Sequence, residues 1–211
     1  MTNLAEYQNR DHALRYLNER ADAIPHRTEG EAELLDLIPL GVERVLDLGT
    51  GDGRLASLLL IERPHIRVVA TDFSPTMVDH ARARFSDDDR VEVVPHDFSD
   101  SIAEFGRFDA IVSSFAIHHV EDDRKRSLYK EIFEALLPGG VFANLEHVSS
   151  PTARLHDEFL AKLGVTRGTE DQSNRCISVE TQLAWLREIG FRDVDCYWKW
   201  RELALLGGVK G

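Results

Sequence analysis

The stretch Val45-Leu46-Asp47-Leu48-Gly49-Thr50-Gly51-Asp52-Gly53 decides how the rest of the chain is read. An apolar, β-forming run ends in an acid and then in glycines at alternate positions, which is how a buried strand breaks into a tight turn ahead of a helix. Glycine suits such a turn twice over. It tolerates positive φ, and without a Cβ it lets a small ligand lie against backbone N–H groups at the helix start. Gly49, Gly51 and Gly53 are therefore expected to contact a ligand as well as reverse the chain. Asp47 would be costly if buried unpaired, and in the simplest reading it anchors the N–H groups of the turn itself.

Downstream of this turn, Arg54 to Glu62 continues as a helix with Leu55, Leu58 and Leu59 on one side, closed by Pro64. Residues 66 to 71 form a second buried strand that stops at Asp72. Ser74 then reads as an N-cap and Pro75 as the first residue of a helix whose inner face carries Met77, Val78 and Ala81. Val91 to Val94 is a third strand ending near Asp97. Phe108 to Ser113 is a fourth, leaving through Ser114, Phe115, Ala116, Ile117, His118 and His119. A helix from about Glu121 to Leu137 is expected to stop at Pro138-Gly139-Gly140, with Val141 to Leu145 as a fifth strand. Strands alternating with helices in units of roughly 25 to 30 residues argue for a doubly wound, mostly parallel α/β sheet covered on both faces.

The flanks differ in character. Residues 4 to 23 read as an amphipathic helix, and Thr28 can cap a second helix carrying Leu34, Leu35, Leu37 and Ile38. Ser150-Pro151 opens another helix, a polar stretch follows to Arg175, and Ser178 caps a helix ended by Gly190. Phe191 to Lys199 and Glu202 to Val209 are two strands so close that only an antiparallel hairpin joins them. Tyr197, Trp198 and Trp200 on this hairpin are read as packing residues. The 211 residues, 43% hydrophobic, are organised as one domain: a helical lid over 1–41, an α/β core over 42–209, and a substrate-side insertion over 150–178.

A formal charge of −12 with an isoelectric point near 5.2 repels nucleic acid and anionic membranes. Two cysteines make no disulfide framework, the N-terminal residues lack the features of a secretory signal, and no apolar run reaches the ~20 residues of a membrane span. A cytoplasmic location without nucleic-acid or membrane partners is expected. No metal site is expected either, since there is no Cys-x-x-Cys or His-x-x-x-His pair.

The ordered set of glycine turn, Asp72, Asp97, the Phe108 to Val120 strand and its exit, Leu136-Leu137-Pro138-Gly139-Gly140 and the closing hairpin resembles the class I S-adenosylmethionine-dependent methyltransferases, in their small-molecule branch. The resemblance covers about residues 43 to 209. It implies a Rossmann-like seven-stranded sheet with an antiparallel last strand, and S-adenosyl-L-methionine across the C-terminal strand ends. By this resemblance Asp47 lies near the methionine ammonium, Asp72 accepts from the ribose diol, and Asp97 accepts from the adenine amino group beside Phe98 or Phe73. Thr50, Met77 and Ser114 complete the expected cofactor contacts. Arg27 either pairs with the cofactor's carboxylate or pairs with Glu29 or Glu31.

The local motif alone also suits a nicotinamide dinucleotide, because Gly51-x-Gly53-x-x-Ala56 matches a variant of that fingerprint. Asp47 and the terminal hairpin favour the methyl donor. A non-catalytic S-adenosylmethionine-binding protein would carry the same glycines and Asp72, and so would a methyltransferase for protein or RNA. For transfer to a small-molecule acceptor, His118 or His119 at the exit of the fourth strand, or His147 beside Glu146 at the exit of the fifth, is the candidate general base. A sulfonium methyl is already activated, so a dedicated base is not obligatory.

Overall fold

The computed structural model describes residues 24–211. The helix expected over residues 4 to 23 and the side chains of Tyr7, His12 and Tyr16 lie outside them. Six α-helices and seven strands follow in the order α1 (Arg27–Leu37), β1 (Arg44–Leu48), α2 (Arg54–Glu62), β2 (Arg67–Asp72), α3 (Pro75–Arg84), β3 (Val91–Pro95), β4 (Phe108–Ser114), α4 (Asp122–Ala135), β5 (Leu136–His147), α5 (Ala153–Leu163), α6 (Val179–Ile189), β6 (Phe191–Trp200) and β7 (Leu203–Lys210). The sheet runs β3-β2-β1-β4-β5-β7-β6. β7 is antiparallel to both of its neighbours, and the other pairings are parallel. Strand order reverses between β1 and β4, where a crevice opens at the C-terminal strand ends.

Period-two alternation divides the core between the two faces of this sheet. Val45, Ala110, Val112, Val141, Ala143 and Leu145 pack on one face with Leu34 and Ile38 of α1 and Leu55 and Leu59 of α2. Leu46, Leu48, Ile111 and Phe142 pack on the other with Leu128, Tyr129 and Ile132 of α4 and Leu186 of α6. Among the described residues no helix is long and apolar enough to cross a membrane.

Caps explain several boundaries. Ser178 accepts from the Thr181 amide and starts α6 as expected, and Gly190 ends it in the left-handed conformation. α5 starts later than Ser150-Pro151 because Thr152 supplies the cap, accepting from the Leu155 amide. Thr28 lies inside α1, not at its cap; His26, at φ 59°, takes that place. Ser74 has cap geometry, yet its hydroxyl makes no cap bond.

The Pro138-Gly139-Gly140 stop falls inside β5. Leu136 pairs with Phe108 and Val141 with Ala110, so the intervening residues bulge out of the ladder. Of the hairpin aromatics, Trp198 and Trp200 pack beside Phe159 and Leu160, while Tyr197 is exposed on the edge strand.

The turn after β1 is held in place sterically. Gly49 has φ +72°, and a Cβ there would stand 2.2 Å from the Ala116 Cβ at the exit of β4. Gly49→Ala therefore adds both an overpacked contact and left-handed strain, together about 2–4 kcal/mol. The thermal unfolding midpoint is expected to fall by roughly 5–15 °C for a chain of this size. An unchanged midpoint by calorimetry would show that β4 does not pack on the turn this closely.

Candidate active site

The turn is tied to the neighbouring strand ends by its own backbone. The Gly49 and Thr50 amides donate to the Thr71 carbonyl at 2.9 and 2.8 Å, and the Gly51 amide donates to Asp72 Oδ2 at 2.9 Å. Asp72 Oδ1 accepts from the Ser74 amide at 2.9 Å. One carboxylate thus joins the β1 turn to Ser74, the residue that precedes α3, while leaving lone pairs for a ligand. Burial pushes Asp72 up to about 6 against the opposing pull of these amides.

A cleft of about 770 Å³, open to solvent, lies against this turn. Of the residues singled out in the sequence, Arg27, Gly49, Thr50, Gly51, Asp72, Phe73, Met77, Phe98 and Ser114 line it. Its wall also includes Asp52, His96, Phe115, Ala116 and His119. A Cβ on Gly51 would meet nothing within 4 Å, so this part of the turn faces open space.

Asp47 stands behind the turn, fully buried, and does not line the cleft. Its Oδ2 accepts from the Thr50 hydroxyl at 2.6 Å, its Oδ1 has no protein partner, and burial raises its pKa to about 7. Asp97 is absent from the wall as well. Its Oδ1 caps the Ser99 amide at 2.8 Å, and His96, one residue earlier, enters the wall in its place. Arg27 pairs with the buried Glu31 at 2.7 Å, as one of its two expected readings had it, and it also lines the cleft, 5.7 Å over the Phe115 ring. Glu31 also receives Arg54 at 2.9 Å.

Buried polar groups normally find partners. Here unpartnered atoms gather at the cleft: Ser114 Oγ and His96 Nε2 in its wall, and Asp47 Oδ1 and Ser74 Oγ just behind it. A ligand bearing an ammonium, a carboxylate, hydroxyls and a purine fits this set. The carboxylates suit the cation, Arg27 the anion, and the Phe73, Met77 and Phe98 side chains a ring.

The two adjacent histidines separate. A 3₁₀ turn over Ile117–His119 follows β4. It buries His118, whose Nδ1 lies 2.7 Å from Glu146 Oε1, and presents His119 to the cleft. His118 therefore does not reach the cleft, correcting its assignment as a base. His119 Nδ1 lies 2.9 Å from Ser173 Oγ, and the Ser173 hydroxyl donates to Asp171 Oδ1 at 2.6 Å. With that proton given to Asp171, the Ser173 oxygen can accept from a His119 Nδ1–H. Burial and the neighbouring His118 hold the His119 pKa well below the ordinary histidine range.

His147, the other candidate base, is also outside the cleft. It lines a separate cavity and lies 3.2 Å from Glu202. Which of two consecutive histidines faces the cleft depends on the 3₁₀ turn, for which the sequence holds no periodic signal. Among the described residues, no group of His, Cys, Asp and Glu is arranged to hold a metal ion.

A parallel sheet with an antiparallel β7, carrying a glycine turn and an acid at the end of β2, defines a Rossmann-like methyl-donor site. Residues 45–140 match the family described as methyltransferase domain. A demethylmenaquinone methyltransferase of Clavibacter sepedonicus is 33% identical over 172 residues, covering 74% of this chain and 69% of its own length. A carboxy-S-adenosyl-L-methionine synthase of Klebsiella pneumoniae subsp. pneumoniae is 25% identical over 215 residues, covering 90% and 86%. In fold, an O-methyltransferase family protein from Burkholderia thailandensis superposes with a TM-score of 0.76 at 17% identity; the match covers all of this chain and 63% of that one. The chain belongs to the class I S-adenosylmethionine-dependent methyltransferases, and S-adenosylmethionine is its cofactor. These comparisons give no support to an oxidoreductase or to a non-catalytic binding protein.

The raised carboxylate pKa values have a consequence for stability. Asp47 goes from about 3.9 in an unfolded chain to about 7 in the fold. The stability it contributes is fully present below pH ~4 and is lost as pH rises through about 7. Without ligand, Asp47→Asn is expected to gain stability relative to the parent between pH 5 and pH 8, as read by urea denaturation, while binding S-adenosylmethionine more weakly. A stability difference that stays constant with pH would contradict a protonated, buried Asp47.

Proposed function

We propose that this methyltransferase acts on a small molecule presenting an acidic hydroxyl, a phenol or an enol, with His119 as the general base. The observation that carries this reading is the Asp171–Ser173–His119 chain of hydrogen bonds beside the cleft, which orients an imidazole in the cleft wall for proton transfer. A base whose pKa lies well below the ordinary histidine range matches an acidified hydroxyl better than an aliphatic alcohol.

When bound, S-adenosylmethionine supplies an electrophilic methyl on sulfur and leaves as S-adenosylhomocysteine. The chain's own residues do the rest. Asp47 balances the ammonium, Arg27 meets the carboxylate, and Asp72 accepts from the ribose hydroxyls on its remaining lone pairs. Phe73, Met77, Phe98 and His96 enclose the adenine, while Asp97 shapes the loop that carries His96 and Phe98. Ser114 and Phe115 border the space between cofactor and acceptor. The 150–178 segment borders the acceptor side in this reading: its Ser173 holds His119 from behind, and the Arg175 amide fastens it to the His118 carbonyl at 2.7 Å. Acidity and two unpaired cysteines support a cytoplasmic site of action.

Transfer from radiolabelled S-adenosylmethionine to a panel of phenols, enols, aliphatic alcohols, amines and thiols tests the reading. Phenols or enols are expected to be methylated on oxygen, and His119→Gln to lower kcat by about 100-fold or more with cofactor affinity held within about twofold. Wild-type kcat should stay high below pH 6, because the base remains neutral there. Full turnover in His119→Gln, or transfer confined to amines or thiols, overturns the reading.

A further inference from the structure

β3 ends at Pro95, and the next amide carries its pairing with β2 one residue further: His96 N–H donates to the Asp72 carbonyl at 2.9 Å. This bond fixes the His96 backbone beside the end of β2, and the residue forms part of the cofactor cleft wall. It is 6% exposed, and its ring packs edge-on against Phe105 at 5.0 Å. Its Nε2 is buried and has no hydrogen-bond partner among the described residues. A buried polar atom left unpaired is costly, so in the wall of a binding cleft it marks a place that a ligand atom completes. Asp97 is the opposite case. Its Oδ1 accepts from the Ser99 amide at 2.8 Å, its carbonyl accepts from the Asp100 amide at 2.9 Å, and it does not line the cleft.

We propose that His96, and not Asp97, reads the adenine of S-adenosylmethionine, with His96 Nε2 accepting a hydrogen bond from the 6-amino group. The inference rests on the adenine placement proposed above, among Phe73, Met77 and Phe98, and adds the polar contact which that placement lacks. Sheet order gives the direction. The glycine turn follows β1, Asp72 ends β2 and His96 follows β3, and these strands are successive neighbours about 4.8 Å apart. A cofactor with its methionine end at the turn and its ribose at Asp72 therefore carries its base to the end of β3.

The chemistry of His96 suits an uncharged donor. An imidazole lone pair meets the amino group without bringing net charge into the wall, whereas a carboxylate buried there without a cation would cost far more. Burial lowers the His96 pKa below the ordinary histidine range and Arg124 adds to this, against the pull of Asp100, Glu104 and Asp97. The neutral tautomer with its proton on Nδ1 presents the lone pair at Nε2. The loop beyond is fastened to α4, since Arg124 donates to the Phe98 carbonyl at 2.5 Å and to the Asp100 carbonyl at 2.8 Å.

Calorimetric titration of the folded full chain with two ligands provides the test: S-adenosylhomocysteine, and its analogue with hydrogen in place of the 6-amino group. The wild type is expected to bind S-adenosylhomocysteine about tenfold or more tightly than the analogue. In His96→Phe this preference should shrink to about twofold or less, while His96→Gln, whose amide oxygen accepts, should keep at least about threefold. Asp97→Ala should weaken both ligands alike and keep the full preference, because its side chain acts on the Ser99 amide. The wild-type comparison needs no variant to fold. Equal binding of the two ligands by the wild type, or a preference lost in Asp97→Ala and kept in His96→Phe, overturns the proposal. Phe98→Ala separates this from failure of the placement itself. If it weakens both ligands while the wild type binds them equally, the ring lies where proposed and His96 does not read it. If it leaves S-adenosylhomocysteine affinity unchanged, the adenine lies elsewhere, and placement and proposal fall together.

Discussion

The bond from the Gly51 amide to Asp72 Oδ2 is the constraint on which the cofactor region depends. Asp72 ends β2 and Gly51 belongs to the turn after β1, so the bond clamps two parallel strand ends at the point where the chain must open for a ligand. The other carboxylate oxygen holds the Ser74 amide, and α3 starts from there. The carboxylate is thus fixed by two backbone donors before any ligand arrives, which lowers the ordering cost of binding. Burial raises the Asp72 pKa to about 6, and the two clamping amides pull against that rise by stabilising the ionised carboxylate.

On the far face of the sheet, a buried polar chain does for the acceptor side what Asp72 does for the cofactor side. Tyr129 of α4 donates to Gln182 of α6, and Asn144 of β5 donates to both Tyr129 and Glu146. Glu146 then takes His118 and the His147 amide. The chain leaves Asn144 Oδ1 without a partner, and it ties the positions of α4, α6, β5 and the 3₁₀ turn to one another. Lys125 adds a second tie, donating to the Arg175 carbonyl at 2.7 Å while itself fully buried. His119 faces the cleft because His118 is held inward by this network.

How much of this was legible in the sequence depended on range. The Val45 to Gly53 strand and turn, the Ser178 cap, the Gly190 stop and the terminal hairpin are set by neighbours within a few residues, and each stood where local chemistry placed it. Pro138-Gly139-Gly140 reads as a stop locally, yet Phe108 and Ala110 of β4 offer the ladder partners that absorb it as a bulge, which is a long-range decision. Asp97 and His96 exchange places for a similar reason. The Ser99 amide captures the aspartate, and the histidine ring is packed edge-on against Phe105 at 5.0 Å, facing inward. Arg27 could be read either way, since pairing with Glu31 and facing the cleft are compatible once Glu31 is buried beneath it.

Three histidines in a row show how charge is distributed across the site. His119 and His118 rings are 4.0 Å apart, and those of His118 and His147 are 5.5 Å apart. A methyl donor of this class carries a positive sulfur, so a cation in the cleft would oppose its binding by direct repulsion. Two features limit positive charge in the cleft: Arg27 is paired with Glu31, which it shares with Arg54, and burial holds His119 neutral. Positive charge is instead placed two rings away, where Glu202 helps raise the His147 pKa to about 10, whereas burial lowers His118 despite its contact with Glu146. The carboxyl groups at the turn are prepared in the opposite sense, since burial raises Asp47 to about 7 and Asp72 to about 6, so that a cation placed beside either would favour its ionised form. On the roles proposed above, cofactor binding near neutral pH is coupled to loss of a carboxyl proton from Asp47.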